Sequence, residues 1–175
     1  TNGLCADSSD ISRSKLKMEN SIIHNTTNHA LNLRMANVFV GNSQITNAGG
    51  DCVHVRGGDV SLVHCTVGRF YVFTGGYGHA LDFANFDGDV RLLLHNLYVA
   101  NSIVTGYQDD EIIGGQNTDS ENDALIITLL TVCLTRRSPK SPTTELRIAC
   151  GTHGRQTKPK LTASCTTRIL HLPLM

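Results

Sequence analysis

No stretch of the 175-residue chain reaches eighteen consecutive apolar residues, which excludes a transmembrane helix. There is no initiator methionine and no basic-then-apolar leader, so the chain reads as a mature or truncated product. None of the six cysteines, Cys5, Cys52, Cys65, Cys133, Cys150 and Cys165, stands in a CxxC pair. This argues against a zinc ribbon or redox motif, and a disulfide framework, open at this size, has no support in the spacing. GxSxG, P-loop, Rossmann glycine and HExxH patterns are also missing, which disfavours nucleotide-dependent and zinc-protease chemistry. An apolar period of 3.6 is absent, which argues against helical repeats, and so is the fixed leucine array of leucine-rich repeats.

Net charge is zero only in total. Residues 1–125 hold seven Lys and Arg against fourteen Asp and Glu, whereas residues 126–175 hold eight basic residues and Glu145 alone. All thirteen Asn and all nine Phe and Tyr lie in the first part, and all four Pro in the second. The composition divides the chain into a lead-in (1–14), a patterned region (15–125) and a basic Thr/Arg/Pro-containing tail (126–175).

Within the patterned region one motif recurs around Asn20, Asn42, His64 and Asn101, at spacings of 22, 22 and 37. Four and two residues before each anchor stand Leu16 and Met18, Val38 and Val40, Val60 and Leu62, Leu97 and Val99. This is strand alternation. Three residues after the anchors come Ile23, Ile45, Val67 and Val104. A second short strand follows, with Leu31 and Leu33, then Val53 and Val55, then Leu81 and Phe83 once six residues around Phe70–Gly75 are treated as an insertion, and finally Ile112. Short strands and polar turns at this length suit a coil of parallel strands, in which each repeat pairs with the one above at ~4.8 Å per rung. Asn20, Asn42, His64 and Asn101 would then stack as a ladder at one corner.

The segments "MENSIIHN", "VFVGNSQITNAGGDCVHV" and "VANSIVTGYQDDEI" resemble the rungs of right-handed parallel β-helix repeat proteins, the pectate-lyase-like superfamily, in its bacterial surface forms. The resemblance covers roughly residues 15–115. It implies an all-β fold, a right-handed parallel β-helix (solenoid) fragment of about four rungs. It also implies a secreted or cell-surface location associated with the bacterial outer membrane, and further β-helix rungs in the full-length protein.

The last fifty residues leave three readings open. They could be a basic tail contacting phosphate or anionic polysaccharide, a solvated end, or an out-of-frame translation of further rungs. In the third, a two-base shift permits "YNFAHCVLDTPE" from Ile126–Ile127. The tail is expected to be poorly structured and unpacked. No nucleic-acid partner is expected.

Register in such a coil aligns Asn32, His54 and Asp82 in one outward column and Arg34, Arg56 and Ala84 in the next, with His29, Asp51, His79 and Asp110 just before the strand. One reading is a saccharide groove: Arg34 and Arg56 hold carboxylates of an acidic sugar, His54 donates a hydrogen bond or acts as base, and Asp82 is an acceptor or Ca²⁺ ligand. A metal site from Asp51, His54, His79 and Asp82 is its stronger variant. The plainer reading is a solvated polar face. Phe70, Tyr71 and Tyr77 in "FYVFTGGY" suit stacking on sugar faces, or packing on the wall. Asp109, Asp110 and Glu111 form an acidic corner, a second place for Ca²⁺. The function expected is a surface or exported module binding a glycan or partner domain without catalysis. The alternative is a polysaccharide lyase or glycoside hydrolase acting on an acidic polysaccharide, whose carboxylate pair would be Asp82 with Asp51 or Asp110.

Overall fold

Alternation of apolar and polar side chains turns one face of each strand inward. The computed structural model describes residues 1–8, 10–73, 78–108, 110–117, 127–130, 132–134 and 149–152, all-β among these residues and without a helix. In chain order the strands are β1 (Leu4–Asp7), β2 (Ser14–Glu19), β3 (Ile22–Thr26), β4 (Leu31–Gly41), β5 (Gln44–Ala48), β6 (Val53–Val63), β7 (Thr66–Arg69) and β8 (Leu81–Ala84). There follow β9 (Phe86–Asp87), β10 (Val90–Arg91), β11 (Leu94–Ala100), β12 (Ile103–Gly106), β13 (Ile112–Gln116), β14 (Ile127–Leu130), β15 (Cys133–Leu134) and β16 (Ala149–Thr152). Apart from the antiparallel β9–β10 hairpin, every pairing is parallel.

The pairs fall into three lines. In the first, Leu4, Leu31, Val53, Leu81 and Ile112 lie opposite one another in succession. In the second, Met18, Val40, Leu62, Val99 and Leu129 do the same. The third aligns Ile23, Ile45, Val67 and Val104. These columns meet in one apolar interior, where Leu31, Val40, Ile45, Val53, Leu62, Val67, Leu81, Phe83, Val99 and Val104 are completely buried. Each such side chain is worth about 1.5–3 kcal/mol of burial.

The anchors sit where the second line turns into the third. Asn20, Asn42, His64 and Asn101 all have positive φ, between 45° and 56°, a conformation that Asn tolerates because its amide bonds locally. Asn42 Nδ2 donates to Asn20 Oδ1 at 2.6 Å, and Asn101 Nδ2 meets His64 Nε2 at 3.2 Å. The residues that follow the anchors form a second ladder, half-buried at Ser21 and buried at Ser43, Cys65 and Ser102. Ser43 Oγ donates to Gly41 O and accepts the Ser21 amide hydrogen, and Ser102 Oγ donates to Ala100 O and accepts the Cys65 amide hydrogen. Cys65 Sγ reaches Val63 O at 3.4 Å, the place a serine hydroxyl takes elsewhere.

Three expectations need correction. The two short strands of successive units run together as the eleven-residue β4 and β6, bent at Met35 and Gly57, both at positive φ. Gly58 follows at φ 98°, and a Cβ there would lie 2.4 Å from Ala36 O. The pairing also begins ahead of residue 15, because β1 aligns Cys5 with Asn32. Finally, residues expected in an unpacked tail continue the sheets. β14 pairs with β11, β15 with β12 and β16 with β13, and Ile127, Leu129 and Val132 are buried. The alternation in Ile127–Leu130 suits a strand, although the fifty-residue composition around it does not. The remaining tail residues lie outside those described.

Removing a fully enclosed side chain from the second line should cost most. Leu62→Ala should lower the unfolding free energy by about 2–5 kcal/mol. At the corner, Asn42→Val should cost about 1–3 kcal/mol through its positive φ, and Asn42→Gly less, since only the side-chain hydrogen bond goes, about 0.5–1.5 kcal/mol. Urea denaturation checks both, and equal losses for the two Asn42 variants would contradict the backbone argument.

Candidate functional site

The first line of strands carries the site on its outer face. Parallel pairing places Asn32 beside His54 and His54 beside Asp82, and likewise Arg34 beside Arg56 and Arg56 beside Ala84. Asp51 is the centre. Its Oδ1 accepts the His79 amide hydrogen at 2.9 Å, and its Oδ2 lies 2.9 Å from His54 Nδ1 and 3.3 Å from His29 Nδ1. His54 Nδ1 also stands 3.2 Å from Asp82 Oδ2, which accepts from Arg56 Nη2 at 2.6 Å. The His29 and His54 rings stack with centroids 4.1 Å apart and planes 20° apart.

His29 Nδ1 also lies 3.1 Å from the Asp51 amide nitrogen, so it faces both the backbone and the carboxylate of the same residue.

Burial alone would raise the Asp51 carboxyl, but contacts with His29, His54 and His79 outweigh it and hold it below its ordinary range. Asp82 is likewise lowered: burial opposes, while His54 and Arg56 prevail. For His54, burial favours the neutral ring, but Asp51 and Asp82 raise its pKa overall.

The structure revises several assigned roles. Arg56 is bound to Asp82 and to its own Val55 carbonyl, while Arg34 Nε donates to Asp87 Oδ2 at 3.3 Å and its Nη1 lies 3.6 Å from Asp7 Oδ1. Both arginines thus have carboxylate partners within the chain. Of the four proposed metal ligands, Asp51, His54 and Asp82 come together, but His79 Nδ1 is 3.7 Å from Asp51 Oδ1 and contributes mainly its backbone amide. The convergent set is His29, Asp51 and His54. At the acidic corner, Glu111 is buried and accepts the Gln108 and Ala80 amide hydrogens. Burial pushes its pKa up despite these bonds. Asp109 lies outside the described residues.

In the aromatic segment, Phe73 is 77% exposed and Val72 68%. Tyr71 and Phe73 meet edge to face at 5.5 Å, as do Phe70 and Tyr107 at 5.1 Å. Tyr77 is outside the described residues. A Cβ on Gly49 would lie 2.4 Å from Thr27 O and 3.3 Å from Tyr71 Cε1, so the Thr27 carbonyl requires the glycine, and the Tyr71 ring lies close beside it, two residues before Asp51. Sequence reasoning missed the residue that fixes this approach. Arg69, 2% exposed, donates from Nε to Gly50 O and from Nη2 to Gly49 O, tying the start of the aromatic segment to the turn that precedes Asp51. Its signal was a basic residue at the repeat position held by Asn25 and Asn47.

The cluster titrates as a unit and limits stability on both sides. With Asp51 and Asp82 depressed, their contribution is present above the ordinary value of 3.8 and is lost as pH falls through the lowered range. With His54 raised, its contribution is complete below 6.5 and is lost as pH rises through the raised value. Glu111 opposes the carboxylates, since its stabilisation is complete below 4.5 and declines as pH rises through its raised pKa. Melting temperature, measured with chelator present, should peak between these limits. His54→Gln should lower the peak and flatten the alkaline decline. An unchanged alkaline limb in that variant would contradict the assignment.

No protein-family model matches the chain, and no curated protein and no solved structure is similar to it.

Proposed function

We propose that this chain is part of a right-handed parallel β-helix of the exported, cell-surface kind, and that its first line of strands presents a saccharide-binding face. The observation that carries this reading is the approach of Tyr71 to Gly49, in the turn that leads into Asp51 and its polar cluster. Aromatic rings offer apolar faces to sugar C–H surfaces, and a neighbouring row of fixed donors and acceptors suits the hydroxyls. Loops that interrupt a rigid scaffold are also where binding concentrates. A hydroxyl-rich, uncharged saccharide fits better than an acidic one, because Arg34 and Arg56 are already answered by Asp7, Asp87 and Asp82. No helix of the described residues is long and apolar enough to cross a membrane.

Binding without turnover follows from the carboxylates. A glycosidase pair flanks the scissile bond, either about 5–5.5 Å or about 6.5–9.5 Å apart. Here His54 Nδ1 contacts both Asp51 and Asp82, so an imidazole fills the gap a sugar would need.

Calorimetric titration of the chain with neutral and acidic oligosaccharides, accompanied by product analysis, tests the reading. A neutral oligosaccharide should bind and remain intact. Phe73→Ala and Tyr71→Ala should each weaken binding by about 2–10-fold, the worth of one aromatic contact. Preference for polygalacturonate or alginate that depends on Arg56, or release of shortened products blocked by Asp82→Asn, would favour the acidic-polysaccharide enzyme instead. Failure of every saccharide, with retention of a protein partner, would replace the glycan by a neighbouring domain.

A further inference from the structure

We propose that His29, Asp51 and His54 form a binding site for a first-row divalent transition-metal ion of the zinc type. This inference stands apart from the saccharide reading and rests on the geometry around Asp51 Oδ2. One ligand atom from each of the three residues lies within 4.8 Å of the other two. Two separations are already those of a coordination shell. Asp51 Oδ2 is 2.9 Å from His54 Nδ1 and 3.3 Å from His29 Nδ1, and a tetrahedral zinc with bonds of ~2.0–2.1 Å places its ligands ~3.3 Å apart.

The surroundings of His29 Nδ1 add to this. The nitrogen faces the backbone amide and the carboxylate of Asp51 together, at 3.1 Å and 3.3 Å. A cation there would be shared by the ring nitrogen and the carboxylate. The ion would sit at the open edge of the ring stack. Metal ligation requires the rings to splay from their present 20° angle, because imidazole lone pairs lie in the ring plane. The side chains are 9% to 19% exposed, which leaves a route for the ion while shielding it from bulk water. A fourth ligand, water or a bound molecule, would complete a tetrahedral shell.

Donor chemistry selects the ion. Imidazole suits Zn²⁺ and its neighbours, whereas Ca²⁺ takes six to eight oxygen ligands. Two ring nitrogens and one carboxylate do not fit calcium.

The test uses the full chain freed of metal, with Zn²⁺ and Co²⁺ as probes and Ca²⁺ as control. One zinc per chain should bind, and Co²⁺ should give the visible absorption of a tetrahedral nitrogen–oxygen site. His29→Asn and His54→Gln should each weaken zinc binding by about 10–100-fold or more, the least expected for loss of a ligand when outer partners alone are worth that much. His95→Asn, at a histidine of β11 outside the three-residue set, should leave binding unchanged. Folding of each variant is verified by its melting transition. Should one histidine variant fail to fold, ¹⁵N shifts of the His29 and His54 ring nitrogens on zinc addition to the unaltered chain read the same ligation. No zinc uptake, uptake insensitive to both histidines, equal loss in His95→Asn, or preference for Ca²⁺ would overturn the proposal.

Discussion

Register is the constraint on which the rest depends. Because side chains alternate with a period of two, a one-residue slip of β6 against β4 would turn Val60 and Leu62 outward together. The corner prevents that slip. Asn20, Asn42, His64 and Asn101 adopt a backbone conformation unfavourable to most residues, and their side chains meet in pairs at the ends of neighbouring parallel strands. The buried hydroxyls of Ser43 and Ser102 then close the turn against the preceding carbonyl. Strand alternation provides the apolar columns, and the polar corner decides which residue opposes which.

The same register governs the outer face, where it creates electrostatic problems as well as opportunities. Arg34 lies directly opposite Arg56, a like-charge pair at strand spacing that would destabilise the sheet if left alone. Asp7 and Asp87 answer the first arginine and Asp82 the second. His29 and His54 stack in a similar way over the single carboxylate of Asp51. Groups remote in sequence, at spacings of 22 to 31, thereby converge into one small polar array, and Arg69 holds the aromatic segment at its margin.

Much of this was legible because repeats convert sequence offsets into spatial neighbours. The inward columns, the anchor ladder and the alignment of Asn32, His54 and Asp82 follow from offsets alone. What was not legible depended on side-chain reach. No offset says that Arg56 bends to Asp82, or that His29 reaches Asp51 while the His79 ring holds back. The hydroxyl ladder carried a readable sign, the recurrent Asn-Ser dipeptide at 20, 42 and 101 with Cys65 replacing serine in the third copy. The long β4 and β6 were hidden because Met35, unlike Gly57, gives no hint of a positive φ. Strand β14 was obscured by averaging: four alternating residues vanish within fifty that are rich in Thr and basic side chains.

The central claim, that successive lengths of chain lie in register around one interior, is tested most directly by methyl–methyl nuclear Overhauser effects in the chain labelled at Val and Leu. Val40 should show strong cross-peaks to Leu62, and Leu62 to Val99, with Val53 linked to Leu31 and Leu81 in the same pattern. Cross-peaks joining Val40 to residues of another line but not to Leu62, or strand pairs with antiparallel contacts, would contradict the account.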